Sequence, residues 1–397
     1  MKILYFLAMV FLARDWPEFR GPTGQGLSDE SGLPLTWSEN RNVGWKTAIP
    51  GRGWSSPAIQ GDQIWLTTST EEGKSLRAIC VDRKSGAMLQ NIEVFRLNVP
   101  GRVNAKNSLA SPTPVLDENR IYVHFGAFGT ACILQSGKIL WRTRLEYDNG
   151  QHGPGGSPVI YENLLVVNCD GMSVQYVAAL DKWTGGIQWK QSRKASHAYS
   201  TPLIVRLAGG DQLISAGAFR VVAYEPRTGK EIWHVLYGDG FSNVPRPVFG
   251  NGRVFICTGF QQPSLLAIRV DGRGDVTKSH VIWRRDRGAP LTPSPLLVGE
   301  ELYLISDNGI ATCLDASTGK EHWQQRIGGN HSASPLYADG RIYFLSEEGK
   351  SVVIAPGKEF KILATNQLNG QTLASMAVSD GAIFLRSDSH LYCLRNQ

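Results

Sequence analysis

The stretch "DASTGKEHWQ" at residues 315–324 recurs, with variations, along the whole chain. "EPRTGKEIWH" stands at 225–234 and "DKWTGGIQWK" at 181–190. "QSGKILWR" at 135–142 is a shorter copy, and "DRKSGAMLQN" at 82–91 lacks the Trp. A turn written this often belongs to a repeated structural unit, and such a repeat limits the fold more tightly than composition does.

Each unit opens on a small residue, usually followed by Pro. A strand and a Gly, Asp, Glu or Asn turn come next, then an aromatic or β-branched strand, a third strand into the TG turn, and a fourth carrying the Trp. The openings are "SSPAI" (55), "SPTPVL" (111), "GSPVIY" (156), "STPLIV" (200), "PRPVFG" (245), "PSPLLV" (293), "ASPLYA" (333) and "ASMAVS" (374), spaced 40 to 56 residues apart. About 40–50 residues for four short strands is the signature of a propeller blade. Stretches such as "GRIYFLSEEG" alternate with the strand period, and helical periodicity is absent. The sequence therefore predicts an all-β fold, an eight-bladed β-propeller of four-stranded antiparallel blades over residues 42–397. The last unit ends at "SHLYCLRNQ" without a TG turn or Trp, while "NVGWKTAIPG" (42–51) carries Trp45 ahead of the first opening. The N-terminal strand should complete the last blade and leave no open sheet edge. Seven blades with a degenerate tail is the alternative.

Within "DASTGK", Asp315 can accept from backbone N–H groups two residues on, and Gly319 takes the positive φ the turn needs. The Trp that follows lies on an outermost strand, where it can cover the seam between blades. Trp45, Trp141, Trp189, Trp233, Trp283 and Trp323 are expected to hold this structural docking role.

The formal net charge is +6, with no run of five or more basic residues, so nucleic-acid binding has no support. Residues 1–13 join Lys2 to an apolar stretch from Ile3 to Ala13, which reads as a signal or tethering segment. That stretch is too short for an ordinary transmembrane helix. Residues 14–41 form a lead-in, and no second hydrophobic segment follows. An N-terminal strand or buried plug is the competing reading. Cys80, Cys132, Cys313 and Cys393 share one third-strand position, where Ala179 and Ala223 stand in other units. The position wants a small apolar residue, so six free, buried thiols are expected, with no metal site among them.

The unit "SP…G…Y…DG…CLDASTGKEHW" resembles the pyrroloquinoline-quinone (PQQ)-like β-propeller repeat superfamily over residues 42–397. The lead-in "DWPEFRGPTGQGLS" (15–28) is similar to that of secreted bacterial proteins of this kind. One branch holds PQQ-dependent alcohol dehydrogenases, which the resemblance associates with adjacent paired cysteines, a calcium-ligating carboxylate and Asn set, and an Asp base. This chain has no adjacent cysteines and shows no calcium set by spacing. The other branch is non-enzymatic and includes the outer-membrane assembly lipoprotein BamB. A lipobox Cys is missing here. The resemblance implies an exported, periplasmic or envelope scaffold, monomeric, without PQQ or calcium, whose partner is another envelope protein or a small ligand. A PQQ-dependent oxidoreductase or small-ligand binder is the rival.

The segments ahead of each first strand should gather at one mouth of the channel. They offer Arg52, Trp54, Lys106, Asn107, His152, His197, Tyr199, Asn243, Arg246 and His331 as candidate binding residues. The same side chains could instead hold blades together and cap the channel. Metal binding by His152, His197 and His331 would need three separate loops to converge. No catalytic residue is assigned.

Overall fold

The computed structural model describes residues 15–397, and the segment read as a signal or tether lies outside the described residues. Eight antiparallel sheets follow one another along the chain, one per predicted unit. The first blade runs from Ala58–Gln60 through Met88–Arg96, and the eighth consists of Ala377–Ser379, Ala382–Arg386 and His390–Leu394. Its fourth strand is Val43–Ala48, paired antiparallel with His390–Leu394 from Val43↔Leu394 to Ala48↔His390. The ring is thus closed by the two ends of the propeller sequence.

Blade-on-blade packing follows from one residue pattern. Cys132 pairs across to Tyr122 on the second strand and to Trp141 on the fourth. Cys393 stands likewise between Phe384 and Trp45, Cys313 between Tyr303 and Trp323, and Ala267 between Phe255 and Trp283. Directly paired residues share a face. The small residue leaves room for the flanking rings to approach, with centroids 5.9–6.1 Å apart. The indole then reaches the next blade. Trp45 Nε1 donates to Arg83 O, Trp141 to Lys182 O, Trp189 to Pro226 O, Trp283 to Ala316 O and Trp323 to Gly357 O, all at 3.0–3.1 Å. In the turn beneath Trp283, Asp315 accepts from the N–H and O–H groups of Ser317 and Thr318, which hold its carboxyl down at about 2. Gly319 sits at φ +72, and a Cβ there would lie 2.8 Å from the Trp283 ring. Glycine is therefore required for contact as well as conformation.

Trp233 keeps the seam position, buried in the core shared by blades four and five, but its indole bonds differently. Its Nε1 donates to Gln212 of its own blade at 2.9 Å. Blade five has no TG turn, and its longer connection instead lays Gly274–Asp275 as a parallel fifth strand beside Trp233. In blade one, Gln90 stands at the Trp position and donates to Gln135 O of the next turn. In blade seven that position is Ala364, and Trp37 from the lead-in stacks on Tyr343 at 6.4 Å. Every apolar core lies between blades: six clusters each draw on two neighbours, and a seventh spans blades seven, eight and one. Among the described residues the one helical turn is Glu71–Gly73, and no helix is long and apolar enough to cross a membrane.

A second ring lines the channel. The amide of Ser56 donates to Thr113 Oγ1, Thr113 to Ser157 Oγ and Ser157 to Thr201 Oγ1. On the far side, Arg246 donates to Ser294 Oγ, Ser294 to Ser334, Ser334 to Ser375, and Ser375 back to Ser56. Seven of eight links are made at 2.9–3.1 Å. The eighth would need a hydroxyl where Arg246 stands, and Ser200 Oγ bonds Pro245 O there instead.

The lead-in seals the end of the channel where first and second strands turn. Trp16 exchanges backbone hydrogen bonds with Ile59, Pro17 O accepts from Leu116, and Gly26 O from Tyr337. The Glu30 carboxylate receives the amides of Asp380 and Gly381. These contacts pair the inner edges of the innermost strands, which would otherwise be open.

Two outcomes follow. Thr113→Val strands the buried Ser56 amide without an acceptor and should lower stability by about 1–3 kcal/mol, read by denaturant unfolding. All six cysteines are free and buried, so mass spectrometry of denatured, unreduced protein should count six alkylated thiols; a native disulfide would contradict the register above.

Candidate binding site at the channel mouth

The loops that lead into the innermost strands and those joining second to third strands meet at the end opposite the lead-in. A cavity of about 540 Å³ opens there. Its wall is the hydroxyl ring, its floor includes Phe19 of the lead-in, and its rim is aromatic and amide in character. Five of the ten sequence candidates line it: Trp54, Lys106, Asn107, His152 and Tyr199. Asn107 Nδ2 donates to His152 O at 2.8 Å and Pro154 O at 3.0 Å, which clamps the next loop. Lys106 reaches Glu347 at 2.7 Å, so the connection after blade one is tied to blade seven.

The other five are placed differently. Arg52 is exposed at the rim, outside the lining, because its backbone pairs with Ser69 and its guanidinium turns to Ala105 O. His197 is buried behind the wall, with ring centroids 5.8 Å from Tyr199 and 5.2 Å from Phe241. Burial, then neighbouring His152, holds its imidazole below the ordinary value. Asn243 is fully buried, its side-chain amide donating to Tyr237 Oη and Cys257 O while its backbone carbonyl accepts from the Tyr199 N–H. His331 is buried, its ring nitrogens 3.0 Å from Leu345 O and 3.1 Å from Gly328 O, so its N–H is spent on backbone. Arg246 lies deep at the lead-in side. It donates to Pro202 O and Phe19 O and pairs with Glu18 at 3.0 Å. His152 and His197 lie ring beside ring at 6.1 Å, while His331 is held apart from them by Leu345 and Gly328. Among the described residues no group of three or more His, Cys, Asp or Glu is spaced to hold a metal.

Sequence reasoning passed over the residues that give the mouth its character. Phe241 and Phe260 meet edge to face at 5.6 Å and continue the wall past Tyr199. Met172 and Phe260 are 54% and 55% exposed, on second-to-third-strand loops of blades three and five, and Phe219 is exposed on that of blade four. A Cβ on Gly150 would meet Tyr199, Met172 and His197 together, so these side chains form one surface. Asp148 shapes it. Burial raises its pKa, but the Ser173 hydroxyl and the amides of Met172, Ser173 and Gly150 outweigh that and bring it to about 2. The visible sequence signal was the Ser or Thr at seven of eight unit openings, which marked the channel wall.

The sequence matches the family described as outer membrane protein assembly factor BamB over residues 96–279 and 274–373, more than half of the chain. The chain belongs to this family. Similar relatives are BamB of Legionella pneumophila, 24% identical over 204 residues, and BamB of Burkholderia pseudomallei, 28% identical over 101 residues. These alignments cover 48% and 25% of this chain, and 49% and 26% of the relatives' lengths. Among solved structures, BamB from Moraxella catarrhalis superposes with a TM-score of 0.63 at 11% identity, over 89% of this chain and 99% of that one. Quinohemoprotein alcohol dehydrogenase from Comamonas testosteroni gives 0.72 at 10% identity, over 97% and 81%. At these identities the structures share a fold.

Family membership leaves the dehydrogenase branch's cofactor to be tested against the cavity. PQQ carries several carboxylates and is held with calcium, which takes oxygen ligands. Among the described residues no Asp or Glu lines the cavity, and Lys106 is already paired with Glu347. The residues do not fit this group.

The two arginines of the sequence reading should separate cleanly. Arg246→Ala leaves Glu18 buried without its cation and frees the lead-in, an expected loss of about 3–5 kcal/mol. Arg52→Ala should stay within about 0.5 kcal/mol. Urea titration of both variants checks the contrast.

Proposed function

We propose that this chain is an exported, non-enzymatic binding module of the cell envelope, and that its mouth face captures a segment of another envelope protein. The observation that carries the reading is the asymmetry of the channel. One end is sealed by the lead-in, while the other opens through exposed Met172, Phe219 and Phe260 onto an aromatic wall. Large side chains exposed together around a concavity are how a soluble surface offers a docking point. Hydroxyl, amide and aromatic groups dominate the lining beside Lys106 and His152, and among the described residues no carboxylate joins them, a composition suited to holding a chain. Family membership and the names of the relatives support an assembly role. An apolar N-terminal stretch supports export.

The test uses immobilised protein and a detergent-solubilised envelope fraction. A partner retained by the wild type should be lost from a Met172→Asp, Phe260→Asp variant whose melting temperature is unchanged. Undiminished retention of the same partner would overturn the mouth as the docking face. Added PQQ and Ca²⁺ should give no stoichiometric absorbance shift, and dye-linked alcohol oxidation would refute the non-enzymatic reading.

A further inference from the structure

We infer that the sealed end of the channel holds a small inorganic anion, of the size and charge of chloride, against the guanidinium of Arg20. Two guanidiniums, Arg20 and Arg246, lie side by side in the lead-in plug, both about 2% exposed. Among the described residues the one carboxylate paired with either is Glu18, and it pairs with Arg246. Arg246 is otherwise fully engaged by Pro202 O and Phe19 O. Arg20 is not. Its Nη2 donates to Gln25 O at 2.7 Å, whereas Nε and Nη1 are buried without a partner among the described residues.

An unpaired buried charge is among the most expensive features a fold can contain. Losing the proton is no escape for arginine. Burial, and then the charge of Arg246, pull its pKa down to about 9, which still leaves it charged at neutral pH. Buried water could accept the two free N–H groups but would leave the excess positive charge in place. A monovalent anion answers both needs through charge-assisted hydrogen bonds.

The surroundings restrict its size. The turn "RGPTGQG" (20–26) folds around both guanidiniums, and it can do so because Gly24 and Gly26 lack a Cβ. A side chain on Gly24 would collide with the Arg246 guanidinium. On Gly26 it would lie 2.8 Å from Arg20 Nη2 and 2.9 Å from Pro335 O. So close a cradle favours a monatomic, halide-sized ion over a polyatomic organic anion. Arg20 does not line the mouth cavity, so the site is independent of partner capture.

Crystals grown with bromide in place of chloride provide the direct test. The expected result is an anomalous difference peak within hydrogen-bonding reach of Arg20 Nε and Nη1. In solution at fixed ionic strength, replacing gluconate by chloride should raise the melting temperature. Each tenfold rise in chloride above its dissociation constant should strengthen the folding equilibrium about tenfold. Arg20→Gln should abolish that difference while still unfolding cooperatively. A water at this position with no bromide peak, together with equal melting temperatures in chloride and gluconate, would overturn the inference, and that outcome is read on the wild type alone.

Discussion

The molecule depends on the circle of hydroxyls around its channel. Each blade packs on its neighbours through apolar contacts that have no direction of their own. The link from a backbone amide to the hydroxyl of the next blade is directional, and it is made at the same repeat position in seven of the eight steps around the ring. That residue stands where the chain leaves the mouth for its innermost strand, so blade spacing at the axis is fixed by hydrogen bonds. Serine and threonine suit the place because a hydroxyl accepts the amide and keeps its own proton for the cavity. The wall that binds the blades is also the lining a ligand would meet.

At the periphery the corresponding work falls to the indoles. Trp, Cys or Ala, and an aromatic residue form a three-strand stripe in the regular blades, and the glycine turn of the next blade fits beneath it. Where the stripe is incomplete the fold substitutes locally: Gln90 in blade one, Trp37 in blade seven, and an added strand beside Trp233. Each substitution preserves a covered seam by different chemistry, so the repeat constrains geometry more than residue identity.

The fold was legible because its determinants are local and recur. Turn glycines, strand alternation and the Trp positions each lie within one unit, and closure followed from counting which strand was missing. The site was half legible. Trp54, Lys106, Asn107, His152 and Tyr199 line the mouth because the segments ahead of the innermost strands all turn at that end. Arg246 stands at an equivalent repeat position but bonds to Phe19, 227 residues distant, in a segment outside the repeat. His331 and Asn243 are bound by neighbouring backbone that no spacing rule reveals. Phe241 and Phe260 come from two loops of blade five, and a backbone bridge between them, which no repeat spacing reveals, sets their rings edge to face.

Closure by the first strand has a consequence for biogenesis. Val43 cannot find Leu394 until nearly the whole chain has been made. The intermediate blades can form in order as they emerge, each resting on the one before, since their contacts are short in sequence. The lead-in cannot settle in the same way, because its partners include the seventh and eighth blades. An open arc with an unseated first segment is therefore an obligatory precursor, and its inner strand edges are bare during that interval. A chain of this design needs protection from other chains late in its synthesis rather than early, and its final step is the snapping shut of a circle.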